Sequence, residues 1–142
     1  MSSKFVRDEI KAFLDANWVD TPIVGEENEF DSPPDNLDPW LTYGFLAEPE
    51  NQQSIGAPGN NCREEYGMTN ITVFVASGSG SETALTYAES VRDLMRTAAL
   101  GSGLRITTVD APETAFPSRV DASQGNFFGY QVAAHYHYQY SA

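Results

Sequence analysis

Two histidines two residues apart, His135 and His137, are the side chains of this sequence with the clearest chemical potential. Alternate residues of a strand lie on the same face, so both imidazoles are expected on one side of the sheet. A zinc ion would need a third and usually a fourth ligand, and the sequence contains no other histidine. We therefore interpret the pair as facing solvent or a partner and expect no metal. A metal-dependent enzyme centred on the pair is the alternative.

The turn Ser77–Ser81 joins an apolar run to a helical pattern and has the form of a phosphate cradle, in which backbone amides at a helix start attract an anion. The glycine pattern of dinucleotide-binding proteins and the Gly-Lys-Ser/Thr of a P-loop are both missing. Ser79 and Glu82 instead have the spacing of a capping box. An ordinary strand-to-helix turn is the simpler interpretation. The alternative is a small acidic protein that binds flavin or another phosphate ligand at Gly78–Ser81.

No set of residues predicts catalysis. The single cysteine, Cys62, cannot form an internal disulfide, and we interpret it as a small core residue in a protein made in the cytosol. The sequence lacks a nucleophile elbow with apolar neighbours. Its longest uninterrupted apolar run, Val73–Ala76, is far shorter than the ~20 residues of a spanning helix. We expect a protein that is not an enzyme, uses no cofactor and does not enter a membrane.

The charge of the chain is strongly acidic and unevenly distributed. Its 142 residues include 20 acids and eight bases, which gives a net charge of -12. Binding to nucleic acid needs clustered lysine and arginine, so a protein that grips DNA is excluded, as is attraction to an anionic membrane. Nine acids and no base lie between Asp20 and Glu50. Because buried unpaired carboxylates are costly, residues 20–50 are expected to be mainly surface loop.

Helical periodicity occurs in two places. Phe5, Val6, Ile10, Phe13 and Leu14 recur at helical spacing and predict an amphipathic helix of about three turns that ends near Asn17. A second helix is predicted over Ala84–Leu100, with Gly101 and Gly103 as its stop signals. Its buried stripe is expected to comprise Ala84, Leu85, Ala88, Val91, Leu94, Met95 and Ala98.

Strand patterns occur in the rest of the chain. Strands are predicted over Trp18–Val24 (an edge strand or arm), Trp40–Leu46, Ile71–Ala76 (a central strand), Leu104–Val109 and Phe127–Tyr140. Segments 51–61 and 110–126 are predicted to be long loops. The terminal strand alternates strictly, with aromatic residues on one face and polar residues on the other. Two helices and about five strands predict an α+β fold: one two-layer domain over residues 1–142, with a mixed or antiparallel sheet of four to five strands packed on the helices.

From Arg63 onward, the order of features resembles the tail terminator, or tail-completion, proteins of long-tailed bacteriophages (the minor tail protein U type). The resemblance covers about 80 residues well and the remainder by element order. The residues that carry it are Arg63, Gly67, Ile71–Val75, Gly78–Gly80, Ala84–Leu100 with Ala88 and Val91, Leu104–Val109, Pro112 and Tyr130–Tyr140.

This resemblance implies a virion protein of the tail, assembled in the host cytoplasm. Members of the family form a ring, usually a hexamer, on the head-proximal end of the tail tube, where the ring stops polymerisation and offers a surface to the head-tail connector. The implied partners are copies of the chain, the tail tube protein and the connector, while DNA passes through the lumen without specific binding. We expect interface residues among Gln52, Gln53, Ser54, Ile55, Gly56, His135, His137, Tyr138 and Tyr140. We expect lumen residues among Glu27, Glu29 and Asp31.

Overall fold

Two helices and one mixed sheet make up the part of the chain that the structure describes. This computed structural model describes residues 4–26, 39–47, 51–52, 62–76, 82–101, 103–114 and 127–141. The helices are α1 (Lys4–Asn17) and α2 (Glu82–Arg96). The strands are β1 (Ile23–Glu26), β2 (Trp40–Ala47), β3 (Asn51–Gln52), β4 (Cys62–Ala76), β5 (Leu104–Val109), β6 (Glu113–Thr114) and β7 (Phe127–Ser141). Neither helix is long and apolar enough to cross a membrane.

The antiparallel pair of β4 and β7 forms the centre of the described sheet. It pairs 15 residues of each strand, from Cys62 opposite Ser141 to Ala76 opposite Phe127. The strand order is β1-β2-β4-β7-β5, with β1 parallel to β2 and the other pairs antiparallel. The short strand β3 extends the β2 side of β4, and β6 extends the β5 side of β7. The predicted central position of the Ile71–Ala76 run is therefore confirmed.

Both helices pack on the same face of this sheet. The apolar stripe of α1 buries Val6, Ile10 and Leu14 completely. On α2 the buried residues are Ala84, Ala88, Val91 and Met95. All of these side chains except Ala84 form one core cluster with sheet residues such as Ile71, Val73, Val132, Ala134 and Tyr136. The predicted two-layer α+β fold, with two helices and five principal strands, is confirmed.

A separate aromatic contact lies on the sheet face opposite the helices. The rings of Trp40 and Phe74, which are cross-strand neighbours, stack with centroids 4.4 Å apart. Phe74 also lies over Gly129 on β7, where a Cβ would come within 2.9 Å of the ring. Glycine leaves room for the aromatic ring, which in turn covers the bare backbone. Trp40 and Phe74 are almost fully buried, so this part of the opposite face is also interior.

Several boundaries differ from the predictions. Glu113 and Thr114, predicted to lie in a loop, form β6 against β7, and α2 begins at Glu82, two residues before the predicted Ala84. The strand β4 begins at Cys62, nine residues before the predicted Ile71, because pairing with β7 draws in the charged residues Arg63–Glu65. Residues Asn51 and Gln52, predicted to begin a loop, form β3 against the same extension. The helix α2 ends at Arg96, before the predicted Leu100. There the amides of Thr97 and Ala98 bond to carbonyls three residues back, which tightens the final turn.

Two further predictions concern the segment after α1 and the start of α2. Trp18 is buried, and its indole Nε1 donates to the Thr21 hydroxyl at 2.9 Å, so the edge strand starts only at Ile23. Ser79 of the predicted capping box and the whole Gly78–Ser81 turn lie outside the described residues. The side chain of Cys62 also lies outside the description.

Candidate functional site

Three strands bring several of the predicted interface residues to one end of the sheet. We call this the ribbon end: Asn51–Gln52 of β3, Cys62–Tyr66 of β4 and His137–Ser141 of β7. Gln52 pairs with Arg63, and Arg63 pairs with Tyr140 on its other side. The predicted residues Gln52 and Tyr140 thus flank one arginine, although 87 positions separate them in the sequence. Both β3 and β7 pair with β4 at Arg63, and this pairing brings Gln52 and Tyr140 to the same end of the sheet.

An aromatic ladder covers the helix-side face of the ribbon end. The ring of Phe5, at the start of α1, stacks on Tyr138 at 5.0 Å, and Tyr138 stacks on Tyr140 at 4.9 Å. Phe5 remains 38% exposed, so the ladder is open to solvent at its edge. Burial, together with the nearby Glu65 carboxylate, raises the pKa of the Tyr138 phenol. Tyr138 therefore stays neutral and is suited to contact rather than to acid-base chemistry.

A polar cluster occupies the other face of the ribbon end. The imidazole of His137 stacks on Tyr66 at 4.7 Å and is 5% exposed. Its Nε2 lies 3.4 Å from Glu64 Oε1, without a hydrogen-bond partner among the described residues. Gln139 donates to the same carboxylate at 3.2 Å, and the Tyr66 hydroxyl donates to it at 3.3 Å. His137 is therefore largely covered by its own chain.

Tyr66 and Gln139 are the exposed members of this cluster. The loss of hydration around the ring and the neighbouring Glu64 carboxylate raise the pKa of Tyr66, while Arg105 acts in the opposite direction. Tyr66 is 39% exposed. Tyr66 therefore presents a neutral phenol on this face of the sheet, where the sequence pattern had predicted exposed histidines.

The other histidine lies farther along the same strand and has different surroundings. His135 pairs with Met68, and its Nε2 is 2.9 Å from Asp110 Oδ2 at the exposed edge of the sheet. An open pocket of about 310 Å³ beside it is lined by Tyr66, Gly67, Thr107, Thr108, His135 and Tyr136. A bulge in β5 between Ile106 and Thr108 shapes this edge. The two histidines share a face, as predicted, but each has its own carboxylate partner.

The described residues contain no group of three or more histidine, cysteine, aspartate or glutamate side chains placed to hold a metal ion. Among the other predicted site residues, Gln53–Gly56 and the lumen candidates Glu27, Glu29 and Asp31 lie outside the description. Sequence reasoning did not identify Phe5, Glu64 or Tyr66 as parts of the site. The strict alternation of β7 predicted which face its own tyrosines occupy. It could not predict which residues of β4 and α1 lie beside those tyrosines, because the pairing of the strands and the docking of the helix determine them.

Comparisons with known proteins bear on both the fold and the family. Eleven chains of solved structures are similar to this one. One of them covers 99% of this chain and 97% of its own, with a TM-score of 0.62 and 17% identity, which shows a shared fold. No curated protein sequence matches the chain. A protein-family model described as phage tail terminator protein matches residues 6–127. That match covers most of the chain, and the protein therefore belongs to the phage tail terminator family, a structural family of tail components.

Proposed function

We propose that copies of this protein form a ring of six on the head-proximal end of the phage tail tube, after assembly in the host cytoplasm. The ring stops tube polymerisation and provides the surface that the head-tail connector binds. The family match over residues 6–127 is the observation that carries this proposal. The ribbon end supports it, since a site built of stacked rings and a neutral tyrosine suits protein contact and offers no catalytic set.

The ribbon end is the first candidate for a contact surface within such an assembly. Tyrosine and phenylalanine are enriched at interface cores because they bury a large area at little entropic cost. Gln52, Tyr138 and Tyr140 lie there together, and His137 supports the opposite face through Tyr66. We propose that Gln53–Gly56 continue this surface and that His135 contributes from its edge.

The acidic side chains Glu27, Glu29 and Asp31 are proposed to line the lumen of the ring. Like charges repel DNA, so a lumen of this kind lets the genome pass without adhesion. Replacing all three residues with lysine should slow DNA passage during infection while leaving tail length unchanged. Phage that carry these substitutions and eject DNA at the wild-type rate would contradict the lumen assignment.

Mass measurement in solution tests the assembly itself. The purified protein is measured alone, with magnesium, and with tubes of its cognate tail tube protein. We expect ring-sized particles that bind one end of each tube, and electron microscopy of the capped tubes counts the copies in each ring. A protein that stays monomeric in all three conditions and never binds tubes would contradict the proposed function.

A further inference from the structure

One region of this acidic molecule combines aromatic rings with half of its positive charge. We call it the basic aromatic end: the first five residues of α1 (Lys4–Asp8), the ribbon end, and Arg105 of β5, which pairs with His137. Its charged residues are the bases Lys4, Arg7, Arg63 and Arg105 and the acids Asp8, Glu64 and Glu65. Four of the chain's eight bases and only three of its 20 acids lie here. Among the described residues this end therefore has more bases than acids, with Arg105 on the face opposite the aromatic ladder.

A groove of opposite charge runs along the outer side of α2. It has a volume of about 600 Å³ and is lined by Glu82, Leu85, Thr86, Glu89, Ser90 and Asp93. No base is among these described residues. Arg92 and Arg96 approach Glu89 and Asp93 at 3.8 and 3.6 Å as i,i+3 pairs, and pairs of this kind that remain partly exposed to water contribute little. The carboxylates of the groove thus remain available for a stronger interaction, beside the apolar side chain of Leu85.

These two surfaces are different parts of one copy. The helix α2 begins six residues after β4 ends at Ala76, and it leads into β5, whose first residue Leu104 pairs with Tyr138 of the ribbon end. The groove therefore follows the side of α2, whereas the basic aromatic end lies where β4 begins and β7 ends. A contact between two different surfaces joins copies head to tail, and head-to-tail contacts generate a ring when the rotation closes.

We infer that the basic aromatic end of one copy docks into the acidic α2 groove of the next copy. This inference rests on the proposed ring. Two copies that each carry a charge of -12 repel each other unless the patches that meet are opposite in sign. Of the described surfaces, the basic aromatic end and the α2 groove are such a pair. The rings of the aromatic ladder supply apolar contact next to Leu85, and arginines meet the carboxylates around it.

Charge exchange between the two surfaces tests the inference. Arg63→Glu changes the basic aromatic end, and Glu89→Arg changes the groove. Lys11→Glu and Asp15→Arg make matched charge changes at exposed positions of α1 outside both surfaces. Each protein is added to polymerising tail tubes, and the concentration that caps half of the tubes is measured by electron microscopy. Circular dichroism verifies that each variant is folded.

Each interface variant alone should raise the half-capping concentration by at least roughly tenfold, and both controls should match the wild type. An equal mixture of R63E and E89R should restore capping. In a ring with an even number of copies, the two variants can alternate, so that each altered surface meets its altered counterpart and each native surface meets a native one.

Interface variants that cap like the controls would overturn the inference. A defective mixture would overturn it as well, because it would show that the basic aromatic end meets another partner. If the wild-type protein caps no tubes, the proposed function itself fails.

Discussion

At the scale of single residues, Gly67 occupies a tight point of the described sheet. A Cβ at this position would lie 2.5 Å from the Leu46 carbonyl oxygen and 2.6 Å from the Tyr136 hydroxyl. Tyr136 is buried in the core cluster, which restricts movement of its ring, and the Leu46 carbonyl belongs to the paired backbone of β2. We predict that Gly67→Ala lowers the free energy of unfolding by about 1 to 3 kcal/mol, as overpacked positions do. Urea denaturation measures this change.

Gly101 provides the matched control for that substitution. A Cβ there would approach the Glu9 carboxyl group at 3.0 Å, and this group is the far end of a flexible side chain that can turn away. Gly101→Ala should therefore destabilise the protein less than Gly67→Ala. Equal losses of stability in the two variants would show that close packing at Tyr136 is not what requires glycine at position 67.

Tyr138 predicts a dependence of stability on alkaline pH. Burial and the neighbouring Glu65 raise its pKa in the folded protein above the ordinary value of 10.0. Below pH 10 the phenol is neutral in both states, so its contribution to stability is complete. Above pH 10 the unfolded chain ionises first, and this contribution is lost as the pH rises through the folded pKa. Melting temperatures between pH 8 and 11.5 should fall less steeply for Tyr138→Phe than for the wild type. Parallel curves would contradict the assignment.

At the scale of elements, α1 is predicted to be held mainly by its buried apolar stripe. Ile10 is the middle residue of that stripe and is fully buried, whereas its neighbour Lys11 is exposed. Ile10→Ala should cost about 2 to 5 kcal/mol of unfolding free energy, because it removes contacts and leaves a cavity. Lys11→Ala should change stability little. Denaturation curves for both variants measure the difference, and a small loss for Ile10→Ala would show that α1 is not an integral part of the core.

Elements with a strong period of their own could be predicted from the sequence, and those that depend on a neighbour could not. The apolar spacing of α1 predicted its end at Asn17, and the alternation of β7 predicted both ends of that strand within one residue. Arg63–Glu65 carry no strand pattern, and they join β4 only because β7 extends alongside them. The alternation of β7 also predicted that Tyr138 and Tyr140 of the candidate site lie on one face of the strand. The partners Phe5 and Glu64 depend on helix docking and strand register, which periodicity does not encode.

At the scale of the whole molecule, the distribution of charge links the fold to the proposed assembly. The acids outnumber the bases by 20 to eight, yet half of the bases gather at the basic aromatic end. If opposite patches join the copies, screening by salt should weaken the ring. We predict that the half-capping concentration rises with sodium chloride between 50 and 500 mM for the wild type. A salt-independent value would contradict a charge-driven contact between copies.

The length of tail tubes tests the central claim most directly, since a terminator acts by stopping growth at one end. Cognate tube protein is polymerised with increasing amounts of this protein, and tube lengths are measured by electron microscopy. We predict that tubes shorten as the protein is added and that each finished tube carries one ring of density at a single end. Tubes that grow to the same length with and without the protein, and with both ends bare, would contradict its role as the tail terminator.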